Sequence, residues 1–406
     1  MIAYLFIPAF YRYDCTTIYE FLKHRFGPLT QYTATVFFFV TRLLASGVRL
    51  MAACLAVSVL IGWHIVPVIA LFTLVSVVYI AFGGIKAVVW TNVVQALTFL
   101  AAGLATLAFL LANIDGGLAA VGQVAGAAGR LSLWNWGPAL GTENYVHEFL
   151  KDPNILWIAV LNGFFGSMAA FGTDHELMQR LLTVKTRRES QRTMMYTIAG
   201  SFVVLLVFLA VGSLLFVFYA QHPELPLPRE LDKIYPHFAA QVMPALLRGL
   251  VLAAIVMASI DSPLASLTAV FVTDLYKPLI RPGAAQGHYL KVSRVCVGLF
   301  SIALAVIAYV FSHFDKMLWL AFKIGGVTYG SLLGVFLLGL MTRRRADRAT
   351  AAAMGIMAAL NAALLLMSEK GIFPLGWSWL VIVGTFGTFG IAWVLGPVLD
   401  AENSAV

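Results

Sequence analysis

Charged residues are scarce in this 406-residue chain: Asp, Glu, Lys and Arg make up 11% of it, while hydrophobic residues make up 61%. Soluble domains are about 25% charged and roughly 45–50% apolar. The composition therefore excludes a soluble enzyme and a disordered chain, and it predicts a helical membrane protein. Only three cysteines are present, an odd number that implies no disulfide framework. The eight histidines are dispersed without zinc-type spacing, so no metal centre is expected.

Long apolar runs are abundant. A membrane-spanning helix needs about 20 mainly apolar residues, and ten such stretches cover residues 32–62, 65–83, 87–113, 154–173, 192–220, 245–275, 290–313, 317–341, 349–368 and 376–397. Residues 1–10 are also apolar but too short to span a bilayer. We predict an all-α polytopic fold whose transmembrane domain covers 32–397, with a cytoplasmic amphipathic segment at 11–31 and a cytoplasmic tail at 398–406.

The 27 Lys and Arg residues are divided unevenly between the two sides of the predicted membrane domain. One side holds 17 and the other holds seven, while Arg42, Arg49 and Lys323 lie inside spans. The positive-inside rule places the richer side, and with it both termini of this chain, in the cytoplasm of a multi-pass plasma-membrane protein. The net charge of +8 is thus explained by topology, and no nucleic-acid partner is expected. The oligomeric state is left open.

Asp261 is the one acidic residue predicted to lie deep in a span, where a charge costs about 2.5–3.5 kcal/mol. Ser259 and Ser262 flank it, and Pro263 has no N–H, so the carbonyl of Ser259 loses its helical donor. Hard oxygen ligands of this kind favour a small cation such as Na⁺. A proline kink with back-bonded serines is the structural alternative, and a proton relay through Asp261 is the competing functional one.

Two arginines lie seven residues apart in the first complete span, so Arg42 and Arg49 share one helix face. Arg42 can reach the cytoplasmic interface, whereas Arg49 is central and needs an anion. Asp261, or backbone carbonyls, could meet that need, and so could a substrate carboxylate, which guanidinium binds with two hydrogen bonds. Lys323, in a glycine-rich span, and Asn162 are further candidates for a substrate cavity; close helix packing is the alternative for both segments.

Several segments together resemble the sodium:solute symporter family, the group of sodium–sugar, sodium–proline, sodium–pantothenate, iodide and sialic acid carriers. The order and spacing of these segments carry the resemblance over nearly the whole chain. They are Tyr19–Gly27, Gly83–Gln95, Phe171–Arg180, Ala254–Ser266, Asp274–Lys277 and Gly330–Gly339. The resemblance implies a leucine-transporter-like fold with two inverted five-helix repeats, a central site and alternating access.

The resemblance also implies a set of ion ligands. The main Na⁺ site maps to Ile255, Ala258 and Ser259, although family members usually carry a hydroxyl where Ala258 stands. A second cation site maps to Asn92, Asp261 and Ser262, where Asn92 takes the place of a family aspartate. We interpret Asp261 as having taken over that negative charge; Asn92 could otherwise serve as interhelix glue. The carboxylate-binding arginine of the sialic acid carriers falls nearer Ala45, one turn from both Arg42 and Arg49.

Family members carry roughly a hundred residues before the segment that matches Tyr19–Gly27. These residues supply the first core helix and most of the second, so residues 1–10 are interpreted as the remnant of a transmembrane helix. The chain is therefore expected to be a fragment, to have a mis-assigned start, or to be completed by another component.

The predicted function is sodium-coupled symport of a small polar solute, with Arg49 and Lys323 allowing the solute to be anionic. One Na⁺ entering through about 100 mV yields about 2.3 kcal/mol, and a tenfold Na⁺ gradient adds about 1.4 kcal/mol. One ion could thus support a several-hundredfold solute gradient. The alternatives are a proton-coupled carrier using Asp261, and a non-transporting sensory or degenerate fragment. An enzyme is not expected, since no nucleophile–base pair is apparent.

Overall fold

A computed structural model describes residues 1–400 apart from 133, 140, 260, 261, 315 and 316. The side chains at 81–89, 258–262 and 315–318 are also outside the described part. Within it, every regular element is helical and there is no strand. The predicted all-α fold is therefore confirmed.

Sixteen α-helices follow one another along the described chain. They are α1 Ile7–Arg12, α2 Ile18–Arg25, α3 Pro28–Ile61, α4 Ile65–Ala112, α5 Gly117–Ala127, α6 Tyr145–Lys151, α7 Leu156–Gly172, α8 His175–Leu182, α9 Arg187–Gln221, α10 Ile234–Gln241, α11 Ala245–Ser259, α12 Ser262–Val270, α13 Gln286–Phe311, α14 Met317–Met341, α15 Asp347–Glu369 and α16 Leu380–Leu399. Two π-helical segments, Ile2–Phe6 and Phe271–Ile280, extend α1 and α12.

Eight helices in the described part are long and apolar enough to cross a membrane. Four shorter apolar helices accompany them: Ile2–Arg12, Ile65–Ile80, Gly117–Ala127 and Ala245–Met257. The structure differs from the ten predicted spans at 65–83 and 87–113, because both fall within the single helix α4. A 48-residue helix is about 72 Å long, more than twice the hydrocarbon thickness of about 30 Å. The count of ten spans stays a prediction.

The predicted span 245–275 consists of α11, α12 and the beginning of the second π-helical segment. Pro263 is the second residue of α12, a position where its missing N–H removes no helical hydrogen bond. Residues 260 and 261, between α11 and α12, lie outside the described residues. The element that carries the predicted Na⁺ ligands is thus described on both sides of Asp261.

Large apolar side chains cover the outside of the bundle. On α9, Phe202, Leu205 and Leu209 are more than half exposed, and only 28% of the most apolar stretch of this helix is buried. Exposed apolar surface of this extent needs an apolar surrounding. The structure therefore supports a multi-pass membrane protein.

One end of the bundle, here called the basic end, is built from short segments that bond to one another. Tyr11 Oη donates to the carbonyls of Leu181 and Val184 at 3.1 and 2.6 Å, and Thr17 Oγ1 donates to both carboxylate oxygens of Asp274 at 2.9 and 3.0 Å. Next to them lies an aromatic core whose fully buried members are Phe6, Phe10, Tyr19, Phe21, Phe38 and Phe336. The predicted amphipathic segment 11–31 forms α2, which buries its apolar face here.

Close packing of α14 on α16 depends on glycine. A Cβ atom at Gly330 would lie 2.7 Å from the Val381 carbonyl oxygen, and one at Gly334 would lie 2.5 Å from the Thr385 carbonyl oxygen. Both distances are much shorter than a van der Waals contact. In both cases the atom met is a backbone atom, which cannot move away by a change of side-chain rotamer. The glycine-rich span that contains Lys323 is therefore one continuous helix, and its glycines pack closely against α16.

We expect Gly334→Ala to lower thermal stability, because the added methyl group forces the backbones of α14 and α16 apart at a cost of about 1–3 kcal/mol. Thermal unfolding of the detergent-purified protein measures the effect. Gly355→Ala on α15 is the matched control, since a Cβ there meets no atom within 4 Å and alanine favours the helix. Equal melting temperatures for the two variants would contradict this account of the α14–α16 contact.

Candidate functional site

A group of buried charges lies between α3, α8 and α14. Arg42 on α3 is 4% exposed; its guanidinium bonds the Asp174 carboxylate and lies 2.5 Å from Oε2 of Glu176. Tyr329 Oη on α14 donates to Asp174 at 2.9 Å. We call Arg42, Asp174, Glu176 and Tyr329 the Arg42 cluster. It joins three helices that are distant in the chain.

The local sequence explains why two carboxylates stand side by side here. Helix α7 ends at Gly172, and Asp174 is the N-cap of α8, where its side chain accepts a hydrogen bond of 2.9 Å from the Glu176 N–H. An N-cap Asp and a first-turn Glu are both favoured at the positive end of a helix. The start of α8 is thereby a compact anionic group.

Two further arginines approach Glu176. Arg49 Nη1 lies 3.7 Å and Arg180 Nη2 lies 3.8 Å from Glu176 Oε1. Both distances are longer than a good hydrogen bond, and about half of the Arg49 side chain is exposed. Arg42 is therefore paired with two protein carboxylates through its two terminal nitrogens, whereas Arg49 keeps a face available to another anion.

A small cavity connects Arg49 with the helix predicted to bind Na⁺. Its volume is about 20 Å³, enough for one water molecule or a bare ion. The lining includes Arg49 and Pro263 together with four hydroxyl residues: Ser46, Thr73, Ser76 and Ser301. Thr73, Ser76 and Ser301 each donate to a carbonyl of their own helix at 2.7 Å, which leaves oxygen lone pairs to face other groups.

Ser46 completes this cavity. Its Oγ is buried and has no hydrogen-bond partner among the described residues. A buried hydroxyl without a partner costs free energy, so a water molecule or a ligand in the cavity would relieve that cost. This orphaned hydroxyl supports a polar occupant beside Pro263.

The predicted Na⁺ ligands are only partly described. Ile255 is half-buried and packs against two of the hydrophobic cores, and Asn92 is half-buried on α4. The remaining members of both predicted sites have side chains outside the described residues; these are Ala258, Ser259, Asp261 and Ser262. Their assignment stays a prediction.

The three predicted substrate residues occupy different places. Lys323 Nζ lies 2.8 Å from Glu369 Oε1, in a groove of about 550 Å³ at the end of the bundle opposite the basic end. Arg49 lines the small cavity beside Pro263. Asn162 is half-buried on α7 and lines neither of the two. None of the cavities in the described part of the chain is lined by more than one of Arg49, Asn162 and Lys323.

Asp174 and Glu176 are the functional candidates that the sequence analysis missed. The predicted span 154–173 ends one residue before Asp174, so the sequence predicts that both carboxylates lie outside the spans, in a connection of the membrane domain. The sequence predicts that Arg42 can reach the cytoplasmic interface, and that Arg49 is met by Asp261, by backbone carbonyls or by a substrate carboxylate. A usable signal was present: two arginines on one helix face need counter-charges, and Asp174–Glu176 lies within a segment that carries the family resemblance.

Comparison with known proteins identifies the family of this chain. The sodium:solute symporter family model matches residues 1–358. The sodium/sialic acid symporter SiaT of Proteus mirabilis is 28% identical over 377 residues, which cover 90% of this chain and 72% of the relative. The human sodium-coupled monocarboxylate transporter 1 is 25% identical, over 92% of this chain and 60% of its own length.

A solved structure shows the same fold. It is an outward-open, substrate-bound Na⁺-coupled sialic acid symporter with a TM-score of 0.84, 23% identity, and coverage of 98% of this chain and 80% of its own. At 23% identity this match shows the fold alone.

Removal of the Arg42 charge tests the cluster. In Arg42→Met two buried carboxylates lose their main partner, and we expect a loss of about 3–5 kcal/mol in the free energy of unfolding. Arg49→Met is the matched control, because the half-exposed Arg49 pair is worth about 1 kcal/mol or less. Chemical unfolding in detergent measures both variants. Equal losses of unfolding free energy in Arg42→Met and Arg49→Met would show that the buried ion pairs of Arg42 contribute no more to stability than the half-exposed pair of Arg49.

Acid should weaken α8 through His175, which is 1% exposed. Burial lowers the pKa of His175 from 6.5 to about 4, so the neutral form is the folded form. Below pH 6.5 the unfolded chain binds a proton that the folded chain does not, and stability falls until the pH reaches the folded-state value. Between pH 7 and pH 5 this loss is about 2 kcal/mol.

The measurement is the melting temperature of the native protein and of His175→Gln at pH 7 and pH 5. We expect a smaller pH-dependent drop in the variant, because glutamine does not titrate. A drop of the same size in both proteins would assign the pH dependence to other groups.

Proposed function

The chain belongs to the sodium:solute symporter family, and from this premise we propose that it couples Na⁺ entry to the uptake of a small organic carboxylate. Na⁺ is the coupling ion of the family, and the protein is a transporter rather than an enzyme. The observation that carries the proposal is Arg49: half-exposed, loosely held by Glu176, and lining a cavity beside Pro263. A guanidinium in that state can exchange its partner for a solute carboxylate.

The named solutes of the relatives support a carboxylate. They are sialic acid for the bacterial symporters and monocarboxylates for the human relative. Arg42 lies two turns further toward the basic end of the same helix and is already paired with Asp174 and Glu176. We therefore assign carboxylate binding to Arg49 rather than to Arg42.

The proposed ion sites follow the family positions. The Ile255 carbonyl, Ala258 and Ser259 form the main Na⁺ site, and Asn92, Asp261 and Ser262 form a second cation site. Pro263 lies in the lining shared with Arg49, which brings the start of α12 next to the proposed solute carboxylate. A cation and a carboxylate that bind next to each other stabilise each other's binding. Such mutual stabilisation is what the coupling of Na⁺ entry to solute uptake requires.

Asn162 and Lys323 are proposed to contact the solute along its path. Lys323 lies in the groove at the end opposite the basic end, where Lys151, Trp319 and Trp377 also line the wall. If the basic end is cytoplasmic, as the distribution of Lys and Arg predicts, this groove is external. Lys323 would then attract an incoming anion before Arg49 binds it.

Alternating access requires the two ends to open in turn. We propose that the Arg42 cluster holds the basic end closed, since it binds α3, α8 and α14 together through buried charges. Thr41 Oγ1 adds a bond of 2.5 Å to Thr328 Oγ1, next to Arg42 and Tyr329. Opening this end would admit water to the cluster, and hydration would offset the lost ion pairs.

Uptake by proteoliposomes tests the function. With a Na⁺ gradient directed inward and a panel of labelled carboxylates that includes sialic acid and lactate, we expect Na⁺-dependent uptake of at least one solute. Arg49→Gln should raise its KM by one to two orders of magnitude, the worth of a charge-assisted hydrogen bond. Arg294→Gln on the exposed face of α13 is the charge-matched control.

Two outcomes would redirect the proposal. Uptake that follows a proton gradient without Na⁺ would favour the proton-coupled alternative, with Asp261 as the titrating group. Absence of Na⁺-dependent uptake for every carboxylate would contradict the proposed function. Asp261→Asn in the same assay separates the sites: unchanged Na⁺ dependence would remove Asp261 from the second cation site.

A further inference from the structure

A groove of about 930 Å³ opens at the basic end, away from the Arg42 cluster. Its walls come from α1, α2, the start of α9 and the segment that follows α14. Five arginines line it: Arg12, Arg25, Arg187, Arg343 and Arg345. We call this feature the basic groove. Its volume is within the range of ligand pockets.

The positive charge in the basic groove is not balanced by protein carboxylates. None of the described residues that line it is acidic, and none of its five arginines forms an ion pair with a described carboxylate. Arg25 donates from Nε to the Gly339 carbonyl at 2.8 Å and also to the Thr342 carbonyl. Carbonyls orient this guanidinium but leave its charge uncompensated.

Membrane topology alone does not account for this convergence. The positive-inside rule explains why basic residues are frequent at one end, but it does not explain why five arginines from four segments face one groove that no described carboxylate lines. The contrast with Arg42, which has two carboxylate partners, is clear. Like charges held together repel one another, and a bound anion removes that repulsion.

A tryptophan lies beside the basic groove. Arg344, between two of the groove arginines, places its guanidinium 3.7 Å from the ring centre of Trp393 and donates to the Trp393 carbonyl at 2.7 Å. Tryptophan is enriched at the membrane–water interface. Arg343 and Arg345 therefore lie next to a residue typical of the interface.

Apolar surface continues from the groove toward the lipid. Leu5, Pro8 and Leu340 line its wall, and Tyr4 and Met341 beside them are 77% and 64% exposed. A free inorganic anion would gain nothing from contact with this apolar surface, whereas the acyl chains of a lipid would cover it. Basic pockets between transmembrane helices on the cytoplasmic side are a known setting for anionic lipid headgroups.

We propose that the basic groove binds the phosphodiester headgroup of an anionic phospholipid from the surrounding leaflet, with its acyl chains against Leu5 and Leu340. The site is separate from the cavity at Arg49, so the proposal does not depend on which solute is carried. Occupation would fasten α1 and α2 to the ends of α14 and α9, because arginines from all four segments would share one phosphate.

Thermal unfolding in lipid tests the proposal. The detergent-purified protein is titrated with dioleoyl phosphatidylglycerol and, in parallel, with zwitterionic dioleoyl phosphatidylcholine and with inorganic phosphate. We expect saturable stabilisation by phosphatidylglycerol alone. Arg187→Gln and Arg343→Gln should each weaken its apparent affinity about fivefold, as expected for one basic side chain near an anionic surface.

Arg188→Gln is the matched control, because Arg188 carries the same charge next to Arg187 but does not line the groove. Arg25 is left unchanged, since its bonds to carbonyls serve folding. Melting temperatures without added lipid show whether each variant is folded, and native mass spectrometry counts the lipid retained by variants that melt early.

Each remaining outcome overturns the proposal. Equal stabilisation by inorganic phosphate would identify a site for a soluble anion. Equal weakening by Arg188→Gln and Arg187→Gln would reduce the effect to the general charge of the surface. Stabilisation by phosphatidylcholine to the same extent would show that the headgroup charge plays no part.

Discussion

The structure depends on the burial of the Arg42 guanidinium among helices. Arg42 is 4% exposed and always charged, so it is tolerated only where carboxylates accompany it. Asp174 and Glu176 supply them from the first turn of α8, and the bond from Tyr329 brings α14 to the same point. A buried charge without its partner costs free energy. The paired charges therefore hold α3, α8 and α14 in one arrangement as long as water is excluded.

This constraint separates two arginines that look equivalent in the sequence. The charge of Arg42 is paired with two protein carboxylates, and these ion pairs link α3 to α8. Arg49, two turns away, has only a distant contact with Glu176 and is half-exposed. Arg49 lies where the hydroxyl side chains of three helices and Pro263 line one cavity. One face of α3 thus carries Arg42, which is paired with protein carboxylates, and Arg49, which can bind another anion.

The two ends of the bundle are built differently. The end that contains α2 and α8 is tied by buried hydrogen bonds and an aromatic core, and it collects uncompensated arginines in the basic groove. The opposite end has a wide groove with the exposed pair Lys323–Glu369. Helix α14 runs from one end to the other, and its glycines hold it against α16.

Composition and apolar runs by themselves determined the helical membrane class and most of the spans, while the ordered motifs carried the family resemblance, because runs and motifs are local properties of the chain. Candidate charges in the membrane could also be named from the sequence, as Arg42 and Arg49 were. Only the tertiary structure decided their partners: Asp174 is 132 residues from Arg42 in the chain, and Lys323 is paired with Glu369 rather than placed beside Arg49. Ion pairing depends on distances in space, and the packing of α3, α8 and α14 sets those distances.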